Sequence, residues 1–182
     1  MAIRIEKTFQ VKEPVEQVWD LLSDPRRVAA CVPGAKITDQ VDEKTYHGTI
    51  GVKVGPSSTD YKGELTIVRR DAALHELEMI GKGQDVRGRG SASMSMTGKA
   101  HSLENGGTEV TSVSEVNVVG ILAQMGARMI NEVSNIMFAQ FIKNFQAQLE
   151  HPSDAAPEEA KPVNAASLAW AAAKGAFHRS DS

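Results

Sequence analysis

Two tyrosines are the residues of this chain whose positions best suit polar chemistry. Tyr46 and Tyr61 lie in neighbouring segments that alternate apolar and polar residues, and both fall on the apolar side. A tyrosine placed there offers an aromatic face and a hydroxyl, which can hydrogen-bond a ligand or act as a general acid. The competing interpretation is that both hydroxyls lie at the rim of a core, in water.

Other reactive side chains lack the spacing that catalysis or metal binding requires. Neither HxxxH nor HExxH spacing occurs among the five histidines, which are His47, His75, His101, His151 and His178. Cys31 could be a nucleophile, but a small apolar residue at a helix end is the favoured interpretation. Ser112 and Ser114 have no histidine placed to activate them. The glycines of 81–90 lie between two strands, so they indicate no phosphate loop. The sequence therefore assigns no catalytic residue and no metal ligand.

The segment 86–100, VRGRGSASMSMTGKA, has two different faces. Alternation of this length predicts a strand with a wet and a dry face, and it places Arg87 and Arg89 outward in solvent. The dry face carries small residues and flexible thioethers, which are Val86, Gly88, Gly90, Ala92, Met94, Met96, Gly98 and Ala100. A concave sheet with space beneath its inner face explains this composition, and a helix packed on a glycine groove is the alternative.

The remaining patterns predict the elements that must position these residues. Alternating segments at 2–11, 35–41, 44–54, 57–69, 74–82 and 108–119 predict antiparallel strands, and two short helices lie between the first two. From Gly120 to about Leu149 the period becomes helical, with an apolar stripe that begins at Leu122, Met125, Met129, Val133, Ile136 and Met137. The fold class is therefore α+β.

Composition excludes several classes of protein. The net charge of −3 over 182 residues gives no sign of nucleic-acid binding. One cysteine excludes an internal disulfide and indicates a reducing compartment. No apolar run is long enough to span a membrane, and the alternating N-terminus does not resemble a signal peptide. We expect a cytoplasmic protein, or a peripheral one at the inner face of the cell membrane.

The end of the chain differs from the rest in composition. Residues 1–150 form the predicted domain, and 151–166 are rich in Pro, Ala and charge, which is typical of a flexible linker. Residues 167–182 form a predicted amphipathic docking tail. Its membrane-docking or partner-docking residues are Trp170, Lys174, Phe177 and Arg179.

The stretch PVEQVWDLLSDPRRVAACVPGA, residues 14–35, resembles the N-terminal signature of the CoxG family of carbon monoxide dehydrogenase subunits, above all in Cys31-Val32-Pro33-Gly34. The resemblance covers about residues 2–150. It implies the START-like, or SRPBCC, helix-grip fold, in which an antiparallel sheet wraps around a long C-terminal helix and encloses an apolar cavity. It also implies partnership with a molybdenum-hydroxylase-type carbon monoxide dehydrogenase, with transient contact at the inner membrane.

These observations together predict a carrier rather than an enzyme. The expected ligand is apolar and non-covalently bound, an isoprenoid quinone such as menaquinone or ubiquinone, and no covalent cofactor is expected. The alternatives are a cofactor-free cyclase or hydrolase with Tyr46 or Tyr61 as general acid, and a membrane-recruitment or assembly factor. The predicted ligand-binding residues are Leu22, Val28, Cys31, Tyr46, Tyr61, Leu65, Met79, Gly88, Gly90, Met94, Met96, Val116, Val118, Leu122, Met125, Met129, Val133 and Met137.

Overall fold

The computed structural model describes residues 1–54 and 57–152. Nearly all of the predicted linker and the whole predicted docking tail therefore lie outside the described residues, including Trp170, Lys174, Phe177 and Arg179.

A single antiparallel sheet of seven strands dominates the described residues. Its order is β1-β7-β6-β5-β4-β3-β2, so consecutive strands from β2 to β7 are neighbours and β1 joins the sheet beside β7. The strands are β1 (Ala2–Val11), β2 (Ala35–Gln40), β3 (Thr45–Val54), β4 (Ser57–Asp71), β5 (Glu76–Asp85), β6 (Gly90–Ser102) and β7 (Thr108–Gly120). The predicted α+β class and helix-grip architecture are confirmed.

Two short helices connect β1 to β2, and a short helix followed by a long one comes after β7. They are α1 (Val15–Leu22), α2 (Pro25–Cys31), α3 (Ile121–Gln124) and α4 (Gly126–Glu150). The start of α2 agrees with the sequence prediction, because the Asp24 carboxylate accepts hydrogen bonds from the backbone N–H groups of Arg26 and Arg27. Pro25 occupies the first helical position, where its missing N–H costs nothing.

The C-terminal half of α4 packs tightly on the sheet. The ring of Phe9 lies edge-on to Phe138, Phe141 and Phe145, with centroids 5.8, 6.2 and 5.5 Å apart. Phe145 is completely buried, whereas Met129 in the N-terminal half remains 38% exposed. The long helix is therefore held firmly at one end of the sheet and loosely at the other.

The structure corrects two predicted boundaries. Strand β6 begins at Gly90 rather than at residue 86, because the Asp85 carboxylate accepts hydrogen bonds from the backbone N–H groups of Arg87 and Arg89 and closes a turn. The predicted continuous helix is interrupted between α3 and α4, where Gly126 adopts a φ of +82°. Such a conformation cannot continue a right-handed helix.

Candidate functional site

A cross-strand row of three glycines and one alanine crosses the inner face of the sheet. Gly48 pairs with Gly63 and Gly63 with Gly83, and Gly83 pairs with Ala92 on β6. A Cβ at Gly63 would lie 1.9 Å from the Lys82 carbonyl oxygen, so the backbones approach too closely there for any side chain. Glycines inside strands are typical of such bends and close approaches. Along this row the inner face carries nothing larger than a methyl group, and the Tyr61 side chain lies over Gly83.

Many of the predicted ligand-binding residues lie on the same face of the sheet as this row. Leu65, Gly81, Met94 and Val116 form the next cross-strand row, and α4 passes over the same face. Leu65, Met94 and Val116 on the sheet are half-buried, and so are Val133 and Met137 on α4. The predicted residues on this face of the sheet are Tyr46, Tyr61, Leu65, Met79, Met94, Met96, Val116 and Val118, of which Tyr46, Leu65, Met79 and Met96 pack in one hydrophobic cluster. Val133 and Met137 line a cleft under α4. Leu122 lies on α3, Met125 lies between α3 and α4, and Met129 is exposed on α4.

A cleft lies between α4 and the sheet, and the position above Gly98 on the inner face is open. The cleft has a volume of about 10 Å³. Its lining residues are Pro33, Gly51, Val52, Lys53, Val133, Ile136 and Met137. Farther along the inner face, a Cβ placed on Gly98 would meet no heavy atom within 4 Å. The cleft holds about one water in this conformation. A larger occupant therefore requires the elements that line the cleft to move apart.

Five of the predicted ligand-binding residues lie elsewhere. Cys31 and Leu22 belong to the packed cluster around Phe145, and Val28 is half-buried on α2. Gly88 lies in the exposed turn before β6, so its assignment to the inner face is wrong. Gly90 pairs with Gly120, and a Cβ there would lie 2.1 Å from the Val119 carbonyl oxygen. Gly90 therefore has no side chain because the backbones of β6 and β7 approach each other closely at this position.

Burial makes Cys31 a poor nucleophile. Its side chain has no exposed surface, and its thiol lies 3.4 Å from the Arg27 carbonyl oxygen. Burial raises the pKa of Cys31 to about 12, so the thiol stays protonated. The interpretation of Cys31 as a core residue agrees with this environment.

A buried ion pair lies at the end of β5, where the sequence predicted a solvated arginine. Arg89 Nε is 2.9 Å from Asp85 Oδ2, and Arg89 Nη2 is 3.0 Å from Asp85 Oδ1. The Asp85 side chain is completely buried. The hydrogen bond from Arg89 is the main cause that lowers the pKa of Asp85 to about 2. Arg89 therefore does not point freely into solvent, and no periodic pattern in the sequence could have revealed its partner.

The two tyrosines are both buried but differ in their hydrogen bonds. Tyr46 is 6% and Tyr61 is 5% exposed, which argues against the interpretation of hydroxyls at a wet rim. The Tyr46 hydroxyl accepts a hydrogen bond from Gln40 Nε2 at 3.3 Å. The Tyr61 hydroxyl has no partner among the described residues, and neither has the hydroxyl of Thr59. Burial, followed by the charge of Asp85, raises the pKa of Tyr61. Tyr61 is thus a neutral hydrogen-bond donor.

The described part of the chain offers no group of three or more histidine, cysteine, aspartate or glutamate side chains that could hold a metal ion. Among the described helices, none combines the length and the apolar character that crossing a bilayer requires.

Comparisons with known proteins relate the chain to one family and one fold. The model of the CoxG family of carbon monoxide dehydrogenase subunits matches residues 8–150. A conserved protein from Geobacillus kaustophilus superposes with a TM-score of 0.73 at 20% identity, covering 81% of this chain and 95% of its own. An aromatase/cyclase from Streptomyces sp. R1128 has a TM-score of 0.61 at 15% identity and coverages of 86% and 98%. A START superfamily protein from Mycobacterium smegmatis has a TM-score of 0.58 at 11% identity and coverages of 82% and 99%. A search of curated proteins finds no significant match. At these identities the structural likenesses show the fold alone.

Proposed function

The chain belongs to the CoxG family of carbon monoxide dehydrogenase subunits, and on that premise we propose that it carries a lipophilic ligand for a carbon monoxide dehydrogenase of the molybdenum hydroxylase type. The observation that carries the proposal is the row of small residues on the inner face of the sheet, together with the cleft between β3 and α4. Glycines and alanine stand there in place of large side chains, and half-buried methionines surround them. Methionine adapts its shape to irregular apolar partners, which suits a wall that must admit and release a ligand.

The ligand that fits this role best is an isoprenoid quinone, such as menaquinone or ubiquinone. A dehydrogenase that feeds a respiratory chain must deliver its electrons to an acceptor, and the lipophilic acceptor of such chains is a quinone. Burial of an isoprenoid chain contributes about 25 cal/mol per Å² of apolar surface, so part of a chain is enough for firm binding. The protein would then move quinone between the inner face of the membrane and the enzyme, with transient membrane contact.

The packing of α4 supports reversible uptake. Its C-terminal half is fixed by the contacts of Phe9 with Phe138, Phe141 and Phe145, while its N-terminal half begins at Gly126 with few buried residues. Weakly packed elements open locally at low free-energy cost. The end of α4 near Gly126 is therefore the part that would move when a ligand enters.

Native mass spectrometry of the full chain purified from its own host, with lipid extraction, tests this function. We expect an adduct whose mass and absorption match an isoprenoid quinone. Recovery of the protein with no lipid, or with phospholipid alone, would contradict the proposal. Reconstitution with purified dehydrogenase adds a second readout, because quinone reduction should increase when the loaded protein is added.

A second candidate function rests on Tyr61. A buried hydroxyl without a partner on the inner face of the sheet could also act as a general acid in a cofactor-free cyclase or hydrolase. Turnover of an aromatic or polyketide substrate that is lost on Tyr61→Phe would favour this enzyme. A carrier has no proton to transfer, so the same variant should alter ligand affinity alone.

A further inference from the structure

Two buried hydroxyls without partners lie together on the inner face of β4. Thr59 is 1% exposed and Tyr61 is 5% exposed, and neither hydroxyl oxygen has a hydrogen-bond partner in the described part of the chain. They are two residues apart on one strand, so their Cα atoms are about 7 Å apart and both side chains lie on the same face. Buried polar groups are normally hydrogen-bonded, because an unpaired one costs about 1–3 kcal/mol. The pair therefore requires an explanation.

The neighbouring ion pair of Asp85 and Arg89 does not satisfy these hydroxyls. Asp85 is the cross-strand partner of Tyr61, but its carboxylate already accepts from Arg89 Nε and Nη2 and from the backbone N–H groups of Arg87 and Arg89. Arg89 in turn donates to the Ser58 carbonyl oxygen at 3.4 Å, which fixes the turn against β4. The charges that act on Tyr61 are those of Asp85 and Arg89, and they neutralise each other.

The hydroxyl pair lies on the strand next to the one that lines the cleft between sheet and helix. Thr59 pairs across the sheet with Val52, a residue that lines the cleft under Val133 and Met137. Tyr61 pairs with Ile50 on the same strand, and its ring carbon Cδ1 lies 3.8 Å from the position that a Cβ on Gly83 would take. The glycine row therefore adjoins the tyrosine, with apolar methionines beyond it.

We propose that Thr59 and Tyr61 form the polar end of the ligand site and hydrogen-bond a neutral carbonyl group of the ligand. This inference rests on the proposed carrier function and specifies which end of the ligand is bound where. A ring carbonyl of a quinone supplies the acceptor that the two hydroxyls lack, and its apolar chain then extends along the methionines. A fatty-acid carboxylate fits less well, because the charge of Arg89 is already neutralised by Asp85.

Binding of three probes to the full chain tests the assignment. The probes are a short-chain ubiquinone analogue, an alkylbenzene with the same chain, and a fatty acid of matched chain length. Loss of one hydrogen bond to a neutral acceptor weakens binding about five- to tenfold. Tyr61→Phe and Thr59→Val should each weaken binding of the quinone by that factor and leave the alkylbenzene unchanged. Thr108→Val is the matched control, because that buried hydroxyl lies outside the predicted ligand site and already donates to the Glu13 carbonyl oxygen at 2.8 Å.

Stability of the ligand-free protein provides an independent readout. Tyr61→Phe removes a buried hydroxyl that has no partner among the described residues. Its midpoint of thermal unfolding should therefore equal or exceed that of the wild type. Thr108→Val should lower it, since the Glu13 carbonyl oxygen loses the hydrogen bond that the buried Thr108 hydroxyl donates. A clear loss of stability in Tyr61→Phe would mean that its hydroxyl has a protein partner, which overturns the proposal.

The outcomes separate this inference from the proposed function. If the wild type binds the quinone and both hydroxyl variants bind it equally well, the polar end is wrong and the carrier function stands. If the wild type prefers the fatty acid to the quinone, a neutral acceptor is the wrong ligand group. If the wild type binds neither quinone nor alkylbenzene, both the carrier function and the polar end are refuted.

Discussion

Gly98 provides the sharpest test of open space on the inner face of the sheet. It lies on the inner face of β6, opposite Ser112 on β7 and Leu77 on β5, and a Cβ there would meet nothing within 4 Å. Glycine inside a strand costs about 0.5–1 kcal/mol relative to alanine. Gly98→Ala should therefore raise the free energy of unfolding by about that amount, which corresponds to roughly 1–4 °C in Tm.

A larger side chain at the same position should separate stability from binding. Gly98→Leu adds apolar surface to an unfilled space, and full burial of a leucine contributes about 1.5–3 kcal/mol. We expect its free energy of unfolding to equal or exceed that of the wild type. The same side chain occupies the space proposed for the ligand, so affinity for a long-chain quinone should fall at least tenfold, by about 1.4 kcal/mol or more.

Gly90→Ala is the matched control, because Gly90 lies on the same strand and the same face. Its new Cβ would lie 2.1 Å from the Val119 carbonyl oxygen, a backbone atom that cannot move aside. Overpacking of this kind costs about 1–3 kcal/mol or more. Urea unfolding of the three variants and a quinone titration measure both effects. If Gly98→Leu loses as much stability as Gly90→Ala, the space at Gly98 is absent and the reasoning fails.

Three further predictions concern the ion pair, the cysteine and the end of the chain. The pKa of Asp85 is lowered from 3.8 to about 2, so its contribution to stability is present above pH 3.8 and is lost as the pH falls through 2. Urea unfolding between pH 7 and 2 should show a weaker acid dependence for Asp85→Asn, and identical profiles would contradict this. Iodoacetamide at pH 8 should leave Cys31 unmodified in the folded protein and alkylate it in urea, because its pKa is about 12; rapid alkylation without urea would exclude a buried thiol. Deleting residues 152–182 should preserve quinone binding but weaken association with anionic vesicles or with the dehydrogenase, and unchanged association would exclude a docking role for that segment.

Local patterns were enough to predict the elements of this fold. Alternation in 2–11 and in 108–119 predicted β1 and β7, and Asp24 before Pro25 predicted the start of α2. The inward register of Tyr46 and Tyr61 also followed from alternation alone. Such features depend on neighbours a few residues apart, whose side-chain directions are set by the backbone period. The signature of residues 14–35 added the family, and the comparisons confirmed it.

Tertiary structure decided what the site consists of. Gly48, Gly63 and Gly83 form a row only because strand register places them side by side, and each looks unremarkable within its own segment. Register likewise assigned Gly90 to a backbone contact with Gly120 and left the space at Gly98 open. The sequence could not distinguish these roles, because a glycine's function depends on which backbone or side chain approaches it from another strand.

The two tyrosines illustrate the same limit in hydrogen bonding. Both were predicted to face inward, yet the Tyr46 hydroxyl is bound by Gln40 and that of Tyr61 has no partner among the described residues. The turn at 86–89 arises from the capacity of the Asp85 carboxylate to accept several hydrogen bonds at once, which overrides the alternation of that segment. Alternation determines the face on which a side chain lies. The partner it finds there depends on residues that only the folded chain brings near.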